Sequence, residues 1–475
     1  MADSDEWTIP DASSAISISL VPPTSFPSSK STETFHPTYT HQFFENEAIY
    51  GYKNLAVDLI FRQDDMSPSL NVTYDEKLSA PGGSGSDGDD EATIDEVEDV
   101  FKAYLPEGTP KSLTLTPSTF APPGTLIHTY PSSSTTSSTF EIYHTNLSDP
   151  AAQLLIKNSQ LLVPFFIEAG SAIDLSDPEE YLRDRWDVFF LYEHLPDDQF
   201  SFVGYCTVHK YWYFIAKKGD KKKKEEKKEE EKEKEKEKEK EEELIIRPEE
   251  FPHQYRARIS QFLILTPYQG KQHGKKLYEV IVDKYLSSDK VKEIVVEDPS
   301  DKFEKLRDFC DYKRLKKQSL INDETVESLL GRKESREWID TERAKAKMPM
   351  RQFQRVIELM LLEHILITKG PKYDEQLERY MTYVKDRLYR HNKDVLMQLE
   401  REERGEKLHE TYERVHSDYE AYLAALGSEA VKTKAASKGK RVIAGKRPAG
   451  LISTVEEDEE EEELLPPTKK TKVTK

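Results

Sequence analysis

Two carboxylates, Glu297 and Asp298, follow directly on an apolar run, Ile294-Val295-Val296, and stand just before Pro299. A carboxylate at a strand end can serve as a general base if a reacting group comes within hydrogen-bond reach. Upstream lies a second apolar run, Ile259 to Leu265, followed by a Thr-Pro-Tyr break and the loop Gln269-Gly270-Lys271-Gln272-His273-Gly274-Lys275-Lys276. The loop opens into Leu277-Tyr278-Glu279-Val280-Ile281-Val282, a helical pattern. From Arg258 to Pro299 the order is therefore strand, loop, helix, strand. Backbone N–H groups at a helix N-terminus form a ready anion site. An anion site and a base within one such unit imply chemistry on a phosphate-bearing cofactor.

The elements around this unit fall into four regions. Residues 1–150 read as an N-terminal β-rich domain, with strands at Ala56 to Phe61 and Leu70 to Tyr74, and a short helix from Val97 to Tyr104. A Gly/Ser/Asp-rich linker occupies Ala80 to Glu91, and Ser132 to Ser138 reads as loop. Residues 151–325 form the domain that carries the chemistry. There, Leu154 to Ala169 is expected as one buried helix, and Val188 to Tyr192 and Phe202 to Val208 as antiparallel strands, the second extended by Tyr211 to Phe214. Residues 217–243, almost pure Lys and Glu, cannot bury a core and read as a solvated surface insertion; an electrostatic contact is the other reading. Residues 326–427 are helical, with Phe353, Val356, Ile357, Met360, Leu361 and Ile365 on one stripe. Residues 428–475 read as a disordered tail with basic clusters and an acidic block, suited to nuclear import or simply soluble.

The whole chain has 475 residues, enough for two or three domains, and 33% of them are charged. Its net charge of −20 disfavours naked nucleic acid and attracts a basic peptide at low salt. Only two cysteines, Cys206 and Cys310, are present, which argues against a disulfide framework and for a reducing compartment. The start has no basic and apolar leader pattern, and no apolar run is long enough to span a bilayer. The expectation is a soluble, intracellular protein with no membrane and no direct nucleic-acid contact.

The loop resembles the Gln/Arg-x-x-Gly-x-Gly/Ala signature of the GNAT superfamily of N-acetyltransferases: Gln269 and Gly274 match, while Gln272 stands where the first glycine belongs. The flanking words are more specific. Ser260-Gln261-Phe262-Leu263-Ile264, Val296-Glu297-Asp298-Pro299, Phe303 and Leu306-Arg307-Asp308 are similar to the catalytic subunits of type B histone acetyltransferases, in a fungal-like form. So are Ile49-Tyr50-Gly51-Tyr52-Lys53, Phe166-Ile167-Glu168-Ala169, Gly204-Tyr205 and Lys210-Tyr211-Trp212, so the resemblance runs from about Trp7 to Ile367. It implies an α/β fold: a GNAT-type mixed central sheet with flanking helices, an N-terminal β-rich domain and a C-terminal helical region.

The resemblance also assigns roles. Lysine, with a free pKa of about 10.4, must lose a proton before it can attack a thioester. Glu297 is the implied base, with Asp298 beside it and Glu168 as a third acidic residue; without the resemblance, Glu168 reads first as a helix salt-bridge partner. Acetyl-CoA is the implied cosubstrate, with no metal. Backbone groups of Phe262, Leu263 and Ile264 would run along its pantetheine arm, Gln269, Gly270, Lys271, Gln272, His273, Gly274 and Lys275 would cradle its pyrophosphate, and Ser300 would touch it. Gln272 is strained if the loop needs a positive φ there. Phe309 replaces a basic contact, which Lys302, Lys305 or Lys313 would have to supply. On the peptide side, Glu45, Asn46 and Glu47 resemble an acidic loop that meets the histone tail. Trp186, Trp212, Tyr213 and Phe214 resemble an aromatic wall, with core packing the alternative for Trp212. The implied substrate is histone H4, with H3 as the free dimer, and the implied partner a WD-repeat histone chaperone, in cytoplasm and nucleus. Two other readings stay open: an acetyltransferase with a different substrate, and a histone-binding scaffold without activity.

Overall fold

The computed structural model describes residues 5–23, 34–78, 94–114, 119–132, 138–175, 183–213, 254–331 and 335–428. The Gly/Ser/Asp-rich linker, most of the Ser132 to Ser138 loop, Phe214, the Lys/Glu run and the C-terminal tail lie outside the described residues.

The N-terminal sheet has four strands, β1 (Ile16–Val21), β2 (Thr34–Phe35), β3 (Ala56–Arg62) and β4 (Pro68–Thr73), in the order β2-β1-β3-β4. β1 and β3 pair in parallel and the other neighbours antiparallel. Ile16, Ile18 and Leu20 face the core with Val57, Leu59 and Phe61, as the two-residue period of a strand requires. Helix α1 (Val97–Lys102) buries Val97 and Phe101.

The expected single helix over Leu154 to Ala169 is two helices, α2 (Pro150–Ser159) and α3 (Leu162–Phe166). Pro164 explains the break. It has no N–H to give the carbonyl of Gln160 four residues back. The Val163 N–H takes that carbonyl instead, at 3.1 Å. Leu154 turns outward, while Ala152, Leu155 and Ile156 are buried.

The main sheet has six strands: β5 (Thr125–Pro131), β6 (Thr139–Asn146), β7 (Trp186–Leu195), β8 (Gln199–Trp212), β9 (Tyr255–Ile264) and β10 (Val291–Val296). Their order is β10-β9-β8-β7-β6-β5, so two strands come from before residue 150. The antiparallel pairing of β7 with β8 is as expected, Trp186 lying opposite His209 and Phe190 opposite Tyr205. Helix α4 (His273–Leu286) links β9 to β10. The mixed sheet, its flanking helices and the helical C-terminal region agree with the α/β expectation.

After β10 come α5 (Asp301–Lys316), α6 (Asp323–Leu330), α7 (Ser335–Ala346) and α8 (Met350–Thr368), the last burying the whole stripe from Phe353 to Ile365. A buried polar network fixes α5. Arg355 meets Asp308 at 2.6 Å, Gln352 donates to Asp308 and Asp311, and the Tyr278 hydroxyl donates to Asp311. The chain divides into two compact units, Met1–Tyr211 with Arg256–Leu361, and Trp212–Tyr255 with Leu362–Lys475. In the second, α9 (Tyr373–His391) and α10 (Arg401–Ala425) bury Tyr380, Val384, Leu388, Tyr412, Tyr419 and Leu423. No helix among the described residues is long and apolar enough to cross a membrane, and Cys206 and Cys310 are free and buried.

Candidate active site

β9 and β10 set the frame. Arg256 meets Glu293 at 2.8 Å, Arg258 meets Glu297 Oε1 at 2.9 Å, and the Glu297 N–H donates to the Ile259 carbonyl at 2.9 Å. The numbers on both strands rise together, so the pair is parallel. β10 ends at that point, while Phe262, Leu263 and Ile264 carry β9 onward past its neighbour. The Leu265 N–H donates to Val203 on β8 at 2.9 Å, and a Cβ on Gly204 would collide with the Leu263 carbonyl. Leu263 thus leans on β8, and glycine at 204 permits the approach. The Gln261 and Leu265 N–H groups both turn to β8, at Thr207 Oγ1 and the Val203 carbonyl, so from Gln261 onward alternation turns the groups of Phe262 and Ile264 to the side that β10 has left, where the Ile264 carbonyl takes Gln269. Such an edge accepts another extended chain.

The loop after β9 is held by its own side chains: Gln269 Nε2 donates to the Ile264 carbonyl at 2.8 Å and Lys271 Nζ to the Pro267 carbonyl at 2.7 Å. Gly270 has φ +74° with open space around it. Gln272 caps α4 at φ 69°, ψ 7° with no side-chain capping bond. The left-handed conformation that the sequence left as a condition at this position is present, adopted by glutamine. A Cβ on Gly274 would lie 3.3 Å from Leu306 and 3.6 Å from Phe262, so the third position of the motif lets α4 settle on Phe262. His273 points its ring into the sheet. Its Nδ1 meets the Tyr130 hydroxyl at 2.9 Å, its ring lies 4.2 Å from Phe140, and burial lowers its pKa. The group it leaves for an anion is its backbone N–H, in the first turn of α4. With the positive helix end, the open space at Gly270 and the unpaired length of β9, these residues fit a cofactor that has a phosphate and an extended arm.

Ser300 caps α5, accepting from the Phe303 N–H at 3.4 Å. Phe309 carries two lysines on its ring, Lys313 at 4.2 Å and Lys275 at 5.0 Å. Lys313, one of the three lysines weighed as substitutes, and Lys275 thus bring positive charge to the Phe309 ring. Cation–π contact fixes both ammonium groups.

The carboxylates stand on two separate segments of backbone, Glu297 with Asp298 after β10 and Glu168 after α3. Glu297 follows β10 with its side chain 36% exposed. Asp298 is exposed at φ 34°. Glu168 is exposed on the turn after α3, before Ala169 at φ 55°. Among the described residues Glu168 makes no ion pair, so the salt-bridge reading gains no support. Its charge, after burial, helps raise the Tyr39 hydroxyl pKa. The turn is tied to β9 by Gln261, whose Nε2 donates to the Ser171 carbonyl at 2.8 Å while its Oε1 accepts from Tyr205 at 3.1 Å.

Glu45, Asn46 and Glu47 form an exposed turn, with Asn46 and Glu47 at positive φ. Phe44 is buried beneath it, and Phe43 packs 5.0 Å from Phe165, at the start of the Glu168 turn. The N–H groups of Thr38 and Tyr39 both reach the Phe165 carbonyl. One aromatic cluster therefore positions the acidic turn and Glu168 together. Trp186 is partly buried against His209, 4.6 Å away. Trp212 and Tyr213 fall in the second unit, where the Tyr213 N–H donates to Gln254 at 3.0 Å. Trp212 is 43% exposed, so core packing does not account for it.

Sequence reasoning gave no role to Arg258 or Gln261. The signal for Arg258 was available: arginines alternate at 256 and 258 on one strand, and glutamates stand at 293 on the next and at 297 just beyond its end. Opposite charges on neighbouring strands pair.

Comparison with known proteins agrees with this arrangement. Residues 7–168 match the family model described as histone acetyl transferase HAT1 N-terminus, and residues 308–365 that described as fungal HAT1, C-terminal. The chain is 30% identical to the histone acetyltransferase type B catalytic subunit of Aspergillus oryzae, over 93% of this chain and 90% of the relative. It is 32% identical to that of Neurospora crassa, over 92% and 94%. It is 34% identical to that of Schizosaccharomyces pombe, over 82% and 87%. With relatives of this name matching along nearly its whole length, the chain belongs to the family of type B histone acetyltransferase catalytic subunits.

Proposed function

We propose that the chain acetylates lysines in the N-terminal tail of free, newly made histone H4, presented with H3 as a dimer, before chromatin assembly. Acetyl-CoA, the cosubstrate that membership of an acetyltransferase family implies, supplies the thioester carbonyl. Phe262 and Ile264 bind its arm through their outward backbone groups, and an N–H there donates to the carbonyl oxygen. The loop from Gln269 to Lys275 and the start of α4 hold its pyrophosphate, and Ser300 lies at the start of the next helix. Glu297 takes the proton from the substrate ammonium, and the neutral amine then forms the new N–C bond as the C–S bond breaks. Asp298 and Glu168 hold the cationic lysine before that step. Glu45, Asn46, Glu47, Trp186, Trp212, Tyr213 and Phe214 are assigned to the tail.

The observation that carries this reading is the position of Glu297. It sits where β10 ends and the open length of β9 begins. The relatives are named as histone acetyltransferases and as catalytic subunits, which supports a histone substrate and a partner subunit. We assign that partner as a WD-repeat histone chaperone and the working compartments as cytoplasm and nucleus.

The test is incubation with acetyl-CoA and free core histones, with mass-spectrometric mapping of the acetylated lysines. The native chain should modify the H4 tail. Glu297→Gln should lower turnover by about 10²-fold or more with little change in CoA affinity by calorimetry. Near-normal turnover of that variant would move the base to Asp298 or Glu168.

A further inference from the structure

The partner of Glu297 is an arginine, and its setting is unusually rigid for a half-exposed carboxylate. Arg258 Nη2 lies 2.9 Å from Glu297 Oε1. Among the described residues, Glu297 Oε2 has no partner. The other side of the guanidinium rests on the Tyr211 ring, 4.3 Å from its centroid. Tyr211 packs edge-on to His209 at 4.2 Å, and His209 lies 4.6 Å from Trp186. Arg258 Nε is buried without a hydrogen-bond partner among the described residues. A column from β7 through β8 to β9 therefore ends in a cation whose one ion pair, among the described residues, is to one oxygen of one carboxylate.

We propose that Arg258 is a positioning residue for the acetyl transfer, holding Glu297 by Oε1 so that Oε2 faces the incoming amine. An ion pair this short, made by a guanidinium that is itself stacked on a ring, anchors the carboxylate by one oxygen. A glutamate side chain has three torsions to fix, and a reacting pair displaced by about 1 Å can lose on the order of 10²-fold in rate. The strand supplies what the side chain lacks. The Glu297 N–H is bonded to Ile259, the residue after Arg258, so backbone and carboxylate are both referred to the same two residues of β9. Arginine suits this better than lysine, since its planar group can stack on Tyr211 and keep its charge beside Glu297 at once. The proposal rests on Glu297 being the base.

The test is a double-mutant cycle on the full chain, with kcat for a histone H4 tail peptide and Kd for acetyl-CoA as readouts. Arg258→Met should lower kcat by about 10- to 100-fold and leave acetyl-CoA Kd within about twofold. In the Glu297→Gln background the same change should have no further effect, because the group it positions is gone. Arg258→Lys should recover part of kcat. An equal loss in both backgrounds, or an unchanged kcat in Arg258→Met, overturns the proposal. Full activity of Glu297→Gln alone would instead overturn the assignment of the base. If Arg258→Met fails to fold, the cycle is run with Arg258→Lys, for which a several-fold loss confined to the Glu297 background is expected; equal losses in both backgrounds, or none, refute it.

Discussion

Replacing Gln272 by glycine separates a strained scaffold from a binding side chain. Gln272 sits at φ 69°, ψ 7°. For an L-residue the left-handed conformation costs roughly 1–2 kcal/mol. Glycine removes that cost but loses more freedom on folding, which gives back about 0.5–1 kcal/mol. The net expectation is a stability gain of about 0.5–1 kcal/mol, or a rise in Tm of roughly 2 °C for a unit of this size. The conformation is already present in the free chain, so its cost falls on folding and not on binding. Acetyl-CoA Kd should therefore stay level or improve slightly, by about twofold at most, as the backbone N–H groups become easier to approach. The assay is thermal melting with and without ligand, alongside calorimetric titration of CoA. Gln272→Val is the opposite control, since a β-branched residue tolerates positive φ poorly, and it should lower Tm. If Gln272→Gly melts lower, or binds CoA several-fold more weakly, the glutamine side chain itself contacts the cofactor and the strain argument fails.

Three further outcomes follow from the geometry. Gly204→Ala should destabilise by about 1–3 kcal/mol and weaken acetyl-CoA binding, because its methyl meets the Leu263 carbonyl and must push β9 aside; calorimetry and melting on the same sample check both. Arg355→Met should cost about 3 kcal/mol in urea unfolding, since Asp308 is 4% exposed and its burial already raises its pKa; a loss below about 0.5 kcal/mol would mean that Gln352 alone satisfies it. His209 has its pKa lowered from 6.5 to about 4 by burial, with Arg185, Arg258 and Lys210 adding to the effect. The unfolded chain therefore binds a proton first as pH falls, so stability should be full above about 6.5 and decline towards pH 4. Urea midpoints of His209→Gln should fall less steeply across that window than those of the native chain.

Much of the site was legible in the residues. Ile259 to Leu265, the loop, the helical run after it and Ile294 to Val296 form the expected strand, loop, helix and strand, because apolar periodicity and the Thr-Pro-Tyr break are local signals. The glycine missing at 272 marked where a positive φ would strain the loop, though only the structure shows that φ, and the stripe from Phe353 to Ile365 marked the buried face of α8. Periodicity misjudged Leu154 to Ala169, since it is blind to an N–H that Pro164 does not have. Other facts lay beyond any local pattern. That β5 and β6 join the same sheet as β9 depends on pairings between strands that no local pattern matches up, and that His273 turns into them to meet Tyr130 depends on a contact between residues 143 apart. Gln261 joining the Glu168 turn to β9 is of the same kind. So is the aromatic cluster under Glu45 to Glu47. The sequence determined which residues can donate a base, a phosphate cradle and an acidic surface, because residue type and spacing fix chemistry and local backbone. Only the tertiary structure decided that β10 stops short of β9 and that Arg258 holds Glu297, because strand register and side-chain partners are set by packing between distant segments.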